Sequence, residues 1–338
     1  MNLLIKNNID YKPWSEFVLN HPNGNIFQTP EMFEVYTKTK NYTPLLTCLF
    51  ENEVLVGILV AVIQKEYKGL LGKLTARSII WGGPLVKDDK PEYLDQILRA
   101  YSKKIKHQAI YTQFRNLWVW PVNLNEIFRN NDFHFEDHLD ILINLSESSE
   151  NIISNIKKNT RRNVTKSINK GVCFELIDTE SDLHIAINLI KKTYQRIKLP
   201  FPHESLFLET FHILSKKDYF QIFKASVNNK IIGVRFELTY KNKIYDWFAG
   251  NDVKENNKYP NDFLIYHILI WGNNNKFSEF DFGGAGKPKI PYPVRDYKLK
   301  FDNNLVNLGR FEKTHQKLML IIGKIGFQLY KFIYGLRK

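Results

Sequence analysis

Two β-rich segments, one in each half of the chain, carry the same signal. Residues 43–67 read TPLLTCLFENEVLVGILVAVIQKEY, two apolar runs broken by the polar Glu51-Asn52-Glu53. Such a break between alternating or apolar runs is a hairpin signature. Residues 219–250 repeat it as a three-strand meander: YFQIFKASV, a turn at Asn228-Asn229-Lys230, IIGVRFELTY, a turn around Asn242, and KIYDWFAG. In both copies a glycine, Gly57 or Gly233, follows the turn by a few apolar residues. A glycine there marks a bulge or a close backbone approach. The pattern predicts a duplicated αβ unit.

The chain has 338 residues, more than one core usually organises, so two domains are expected. Helical periodicity around each meander places helices over 30–40 and 91–107 in the first half, and over 182–197, 204–216 and 261–276 in the second. Helices on mostly antiparallel mixed sheets give an α/β (α+β layered) architecture. The expected domains are 1–145 and 173–309, joined by a basic helical linker over 146–172 and followed by an amphipathic basic helix over 310–338. In that last segment Leu318, Ile321, Ile322, Ile325, Leu329, Phe332, Ile333 and Leu336 recur at helical spacing among lysines. Such a helix docks on a core or lies on an anionic membrane.

The linker carries Lys157, Lys158, Arg161, Arg162, Lys166 and Lys170 with no acid from the first to the last. A helix of that kind can follow a phosphate backbone, or it can be a solvated face. The formal net charge of +13 points toward nucleic acid, anionic lipid or a phosphorylated substrate, or else reflects an AT-rich genome that inflates Lys and Asn without functional meaning. Cys48 and Cys173 both sit in apolar runs and read as small buried hydrophobes rather than as a disulfide or zinc pair. The N-terminus lacks the apolar stretch of a signal peptide, and the longest apolar run, Val54 to Ile63, falls short of a membrane span, so the chain is expected in the cytoplasm.

Standard catalytic motifs are absent from the sequence: there is no GxSxG, HExxH, Walker loop or GxGxxG, nor the Q/R-x-x-G-x-G/A turn that holds coenzyme A pyrophosphate. His134, Glu136 and His138 share a face if HFEDH is a strand, which allows a metal, but hydrated surface is the commoner fate and no metal is expected. More informative is EFDFGGAGKP at 279–288, a short strand running into glycines that let a ligand approach backbone. After it, alternation in VRDYKLKF predicts a strand with Asp296, Lys298 and Lys300 on one face, where a lysine can stabilise an oxyanion.

Five segments together resemble the Fem family of aminoacyltransferases, which build peptidoglycan cross-bridges. SENIISNIKKNTRRNVTKSINKGV is similar to that family's central basic segment, EFDFGGAG to its D-F-G-G strand end, and DYKLKF to its F-K-x-x-F segment. FQTPEMF and WGGPLV are similar to its Q-S/T-P and R-G-P motifs. The resemblance implies two N-acetyltransferase-like domains in tandem without a coiled-coil arm. It implies transfer of an amino acid from aminoacyl-tRNA to an amine of a peptidoglycan precursor or other envelope acceptor, by a monomer without cofactor. It gives Lys298 the role of stabilising the tetrahedral intermediate, with Tyr297 in place of the usual Phe, and Arg196 that of holding acceptor phosphates. Tyr245 and Trp247 would line the acceptor site, beside Asp281, Gly283 and Gly284. Lys157, Lys158, Arg161, Arg162 and Lys166 would meet the tRNA. One family lysine of the first domain, in W-x-x-V-K, is replaced in FEVYTK by Tyr36 or Thr37, which sets a nucleotide-linked acceptor in question. Two other classes stay open: an N-acyltransferase using acyl-coenzyme A or an acyl carrier on an envelope sugar or lipid, and a non-catalytic module that binds nucleic acid or membrane.

Overall fold

A computed structural model describes residues 3–66 and 69–322. The described residues form two compact units, one made of residues up to 136 together with 308–322, the other of Asp137–Asn307.

The first unit runs β1 (Leu3–Lys6), α1 (Tyr11–Asn20), α2 (Pro30–Lys38), β2 (Tyr42–Glu51), β3 (Val54–Gln64), α3 (Gly69–Lys73), β4 (Arg77–Trp81), β5 (Leu85–Val86), α4 (Pro91–Ile105), β6 (Tyr111–Arg115), α5 (Val122–Asn130) and β7 (His134–Glu136). The second runs β8 (Leu139–Asn144), α6 (Ser149–Asn155), α7 (Lys158–Asn169), β9 (Cys173–Leu176), α8 (Glu180–Arg196), α9 (Ser205–Leu214), β10 (Phe220–Val227), β11 (Lys230–Tyr240), β12 (Lys243–Asn251), α10 (Pro260–Asn274), β13 (Glu279–Gly286), α11 (Pro293–Lys298) and β14 (Leu305–Asn307). The chain then returns to the first unit as β15 (Arg310–Thr314).

The two sheets have the same plan. The order β1-β2-β3-β4-β6-β15-β7 in the first matches β9-β10-β11-β12-β13-β8-β14 in the second, and β5 pairs with β3 off that path. In each, an antiparallel meander leads to one parallel pair, β4 with β6 or β12 with β13. The two glycines noted above occupy the same point of that plan. Gly57 pairs with Leu49 just before a register shift in β2–β3, and Gly233 pairs with Ala225 at the matching shift in β10–β11. A Cβ on Gly57 would meet Ile97 of α4 at 2.4 Å, and one on Gly233 would meet Pro260 of α10 at 2.8 Å. Each glycine thus lets a helix lie close against its sheet.

The domain boundaries differ from those expected. β8 belongs to the second unit's sheet, between β13 and β14. The segment over 146–172 is no linker: Ile152, Ile156, Val164 and Val172 are buried in that unit's core with Phe263, Leu264 and Ile268 of α10. These apolar positions, spaced through a charged stretch, give α6 and α7 a face to bury. The expected helix over 310–338 begins instead as β15, because Phe311 fills the first core, stacked on Phe128 at 4.0 Å. Leu318, Ile321 and Ile322 are exposed, and residues 323–338 lie outside the described residues. Cys48 is buried as expected, but Cys173 is exposed on the edge strand β9. β7 stops at Glu136, so His138 is not on one strand face with His134. No described helix is long and apolar enough to cross a membrane.

Candidate active site

Strands β12 and β13 pair in parallel at only three positions, Lys243 with Glu279, Ile244 with Phe280 and Tyr245 with Asp281. Beyond them β12 stays with β11 as far as Asn251, while β13 stays with β8 as far as Gly286. The two strands therefore part at their carboxyl ends and open a wedge. The equivalent pair in the first unit, β4 with β6, remains joined from Arg77 and Tyr111 to Trp81 and Arg115. Ligands of α/β sheets bind at the carboxyl ends of parallel strands, where the topology parts them. The second unit alone of the two has such an opening in its central parallel pair.

Lys298 sits at the vertex. The glycine-rich strand end makes room for it: Gly283 takes φ +73°, a conformation that favours glycine, and a Cβ there would stand 3.7 Å from Lys298 Nζ and 3.6 Å from the Asp246 carbonyl. The Lys298 ammonium donates to the carbonyls of Phe282, Gly283 (2.9 Å) and Gly284 (3.2 Å). An ammonium has three donors, so all are engaged, and the charge rests 5.1 Å from the Phe282 ring centroid. Burial pushes the lysine's pKa down, while Asp246, Asp140 and Asp281 oppose that shift.

The expected strand around Lys298 is a helix. Pro293 stands in the first turn of α11, where its missing N–H costs nothing, and Lys298 ends the helix, buried. Asp296 is exposed and does not share a strand face with it. Lys300 is half-buried beyond the helix, its ammonium 4.9 Å from the Tyr297 ring centroid. Tyr297 packs its ring against Phe301, and its phenol faces the Asp262 carboxylate.

The other expected residues divide into two groups. Asp281, Gly283, Gly284 and Tyr245 come together at the vertex, since Tyr245 is the last residue of β12 paired with β13 and faces Asp281. Asp281 accepts a hydrogen bond from the Gly283 amide at 2.8 Å, yet burial pushes its carboxyl up to about 6. Asp140 of β8, paired with Gly284, is raised by burial and by Asp281, because two close carboxylates resist carrying charge together. Trp247 turns away from the wedge. It is the extra residue at a register shift between β11 and β12 and packs on Phe248, Phe207 and Phe220. Arg196 is the exposed last residue of α8. Along α7, Lys158, Arg162 and Lys166 are exposed, Arg161 is half-buried, and Lys157 caps the start, its amide donating to the Lys300 carbonyl at 2.8 Å.

Sequence reasoning missed Arg235, Glu237 and Asp246. Arg235 is buried with its guanidinium on Asp246 and its Nε 3.5 Å from Glu237. Arg and Glu alternating within the apolar run IIGVRFELTY were the available signal. Charged residues inside a buried strand are rare unless paired.

The acetyltransferase (GNAT) domain model matches residues 154–299, the part of the second unit that contains the wedge and Lys298. Among solved structures, FemX superposes with a TM-score of 0.73 at 13% identity, covering 96% of this chain and 100% of its own. The chain has a Fem-like tandem N-acetyltransferase fold. L-PGS from Bacillus licheniformis has a TM-score of 0.57 at 12% identity, covering 93% of this chain and 96% of its own. A tandem GNAT protein of the clavulanic acid biosynthesis pathway has a TM-score of 0.58 at 7% identity, covering 93% and 99%. No curated protein matches the chain in sequence. The acetyltransferase domain match makes the protein an acyltransferase.

Proposed function

We propose that the protein transfers an aminoacyl group from a charged tRNA to an amine of a cell-envelope acceptor. The observation that carries this reading is the Lys298 ammonium at the vertex of the wedge, within the acetyltransferase domain. The neutral amine attacks the ester carbonyl, a C–N bond forms, and the bond to the ribose oxygen breaks. Negative charge develops on the carbonyl oxygen during the attack. A fixed ammonium at the vertex stabilises that charge more than it stabilises the neutral ester. To donate to it directly, Lys298 exchanges one of its three carbonyl partners for the oxyanion.

Support for the donor comes from α7, whose exposed Lys158, Arg162 and Lys166 form a basic face with no acid between them. The missing coenzyme A pyrophosphate turn agrees with it. Support for an envelope acceptor comes from the Fem resemblance and from the likeness to L-PGS. Tyr245, Asp281, Gly283 and Gly284 line the vertex where the acyl group and amine would meet.

The test is transfer of radiolabelled amino acid from a pool of charged tRNAs to envelope extract, against the same extract with acyl-coenzyme A. Each phosphate contact releases counterions, so tRNA affinity should fall steeply with salt. Arg162→Glu should weaken binding more than Arg161→Glu, and should flatten the salt slope by about one or more contacts. Full activity on a thioester without tRNA, or salt-insensitive tRNA binding, decides for a coenzyme A or carrier enzyme instead.

A further inference from the structure

Behind Lys298 lies a buried charged group that the chemistry above leaves unused. Arg235 and Glu237 stand two apart on β11 and so project to one face, and Glu237 pairs across with Asp246 of β12. Their side chains are 5%, 0% and 10% exposed, so Asp246 is the most open of the three and Glu237 is sealed. Arg235 binds one Asp246 oxygen, Oδ2. The other, Oδ1, is buried without a hydrogen bond, as are Arg235 Nε and both Glu237 oxygens. Arg235 Nε and one Glu237 oxygen still face each other as an ion pair at 3.5 Å, so Asp246 Oδ1 and the other Glu237 oxygen are the two left over. Buried polar atoms are nearly always satisfied, and such a pair marks a site that takes a proton or another polar group.

Asp246 also holds a distinctive place in the sheet. It is the first residue of β12 past the last pair with β13, so it stands on one side of the wedge vertex as Gly283 stands on the other. Among charged neighbours it is the strongest in favouring the charged form of Lys298. The groups facing it are Arg235 and Glu237 from β11 and Lys298 and Tyr297 from α11, with Asp262 of α10 behind Tyr297. Burial and the neighbouring Asp246 push the Glu237 carboxyl up, and the Arg235 guanidinium opposes that shift.

We propose that Asp246 is the general base of the reaction, its unpartnered oxygen taking the proton from the attacking amine at the wedge vertex. This rests on the acyl-transfer reading. As the C–N bond forms, the amine proton passes to Asp246 Oδ1. As the C–O bond breaks, that proton passes to the departing ribose oxygen and Asp246 is ionised again, so no net proton is gained or lost. Protonating Asp246 leaves Arg235 without its counter-charge, which favours prompt return of the proton.

Single-turnover transfer measured across pH tests this. Asp246→Asn should lose about 10²-fold or more at neutral pH, the usual worth of a general base, and the surviving rate should climb with hydroxide instead of levelling. Asp246→Ala should recover rate with added formate, which a merely structural residue would not do. Asp246→Glu keeps a carboxylate and should keep the levelling profile at a lower rate. If the Asn variant does not fold, the Glu variant decides: loss of the levelling profile overturns the assignment. A folded Asn variant with wild-type rate and profile, or an Ala variant that formate does not rescue, overturns it too, while the acyl-transfer reading stands. Wild-type protein that transfers nothing from any charged tRNA or thioester overturns both.

Discussion

Lys298 and Gly283 are joined across the mouth of the wedge: the lysine Nζ donates to the Gly283 carbonyl at 2.9 Å, where the glycine's positive φ turns β13 away from β12. The same lysine binds the carbonyls on either side, so one ammonium both pins the strand end and places its charge at the vertex.

Replacement of that lysine should separate the two roles. Lys298→Met leaves the carbonyls of Phe282, Gly283 and Gly284 without their donor, at a cost to stability of about 1–3 kcal/mol for an unsatisfied buried group. If the ammonium also stabilises the oxyanion, turnover should fall by about 10²- to 10³-fold with binding little changed. Lys300→Met should be nearly silent in both assays, since its ammonium lies over the Tyr297 ring away from those carbonyls. Unchanged turnover in a folded Lys298 variant, or greater sensitivity at Lys300, removes the assignment.

Close packing of helix on sheet predicts an order among glycine substitutions. A Cβ on Gly250 would meet the backbone of Leu189 and Ile190 in α8 at 2.6–2.7 Å, and backbone cannot rotate aside. A Cβ on Gly57 would clash with the tip of the Ile97 side chain, while Val86 and Leu49 stand at ordinary contact distance. Overpacking costs about 1–3 kcal/mol, and more where nothing yields. Gly250→Ala should therefore lower the urea midpoint more than Gly57→Ala. The reverse order would mean that α8 shifts more readily than a buried isoleucine.

His315 supplies a pH dependence in the first unit. It follows β15 and sits against Thr112 of β6, Nε2 to Oγ1 at 2.7 Å, in a buried polar group that continues to Tyr101 and Ser78. Burial, with Lys313 nearby, pushes its pKa down to about 4. The unfolded chain then binds more protons than the folded one between about 4 and the ordinary histidine value of about 6.5. Stability from this residue is complete above that range and is lost as pH falls through it. His315→Gln should flatten the wild-type fall in melting temperature over that window, whereas an equal fall in both proteins would place the proton elsewhere.

Local chemistry alone settled much of this molecule. Alternating or apolar runs ending in Asn-rich turns specified β2–β3 and β10–β12, because strand pattern and turn type act over a few residues. The glycines at 57 and 233 pointed to a bulge or a close backbone approach; each adjoins a register shift, and what lies close to each is a helix side chain. Tertiary structure decided what depends on distant partners. β8 and β15 are ordinary short strands, and only pairing across the fold assigns one to the second sheet and the other to the first. DYKLK alternates like a strand, yet Pro293 starts a helix there, and burial of Lys298 against the Phe282–Gly284 carbonyls sets its place. The charges of Arg235, Glu237 and Asp246 are visible in the sequence. Their convergence at the wedge is not, because it arises where two parallel strands stop pairing, and pairing is a property of the assembled sheet.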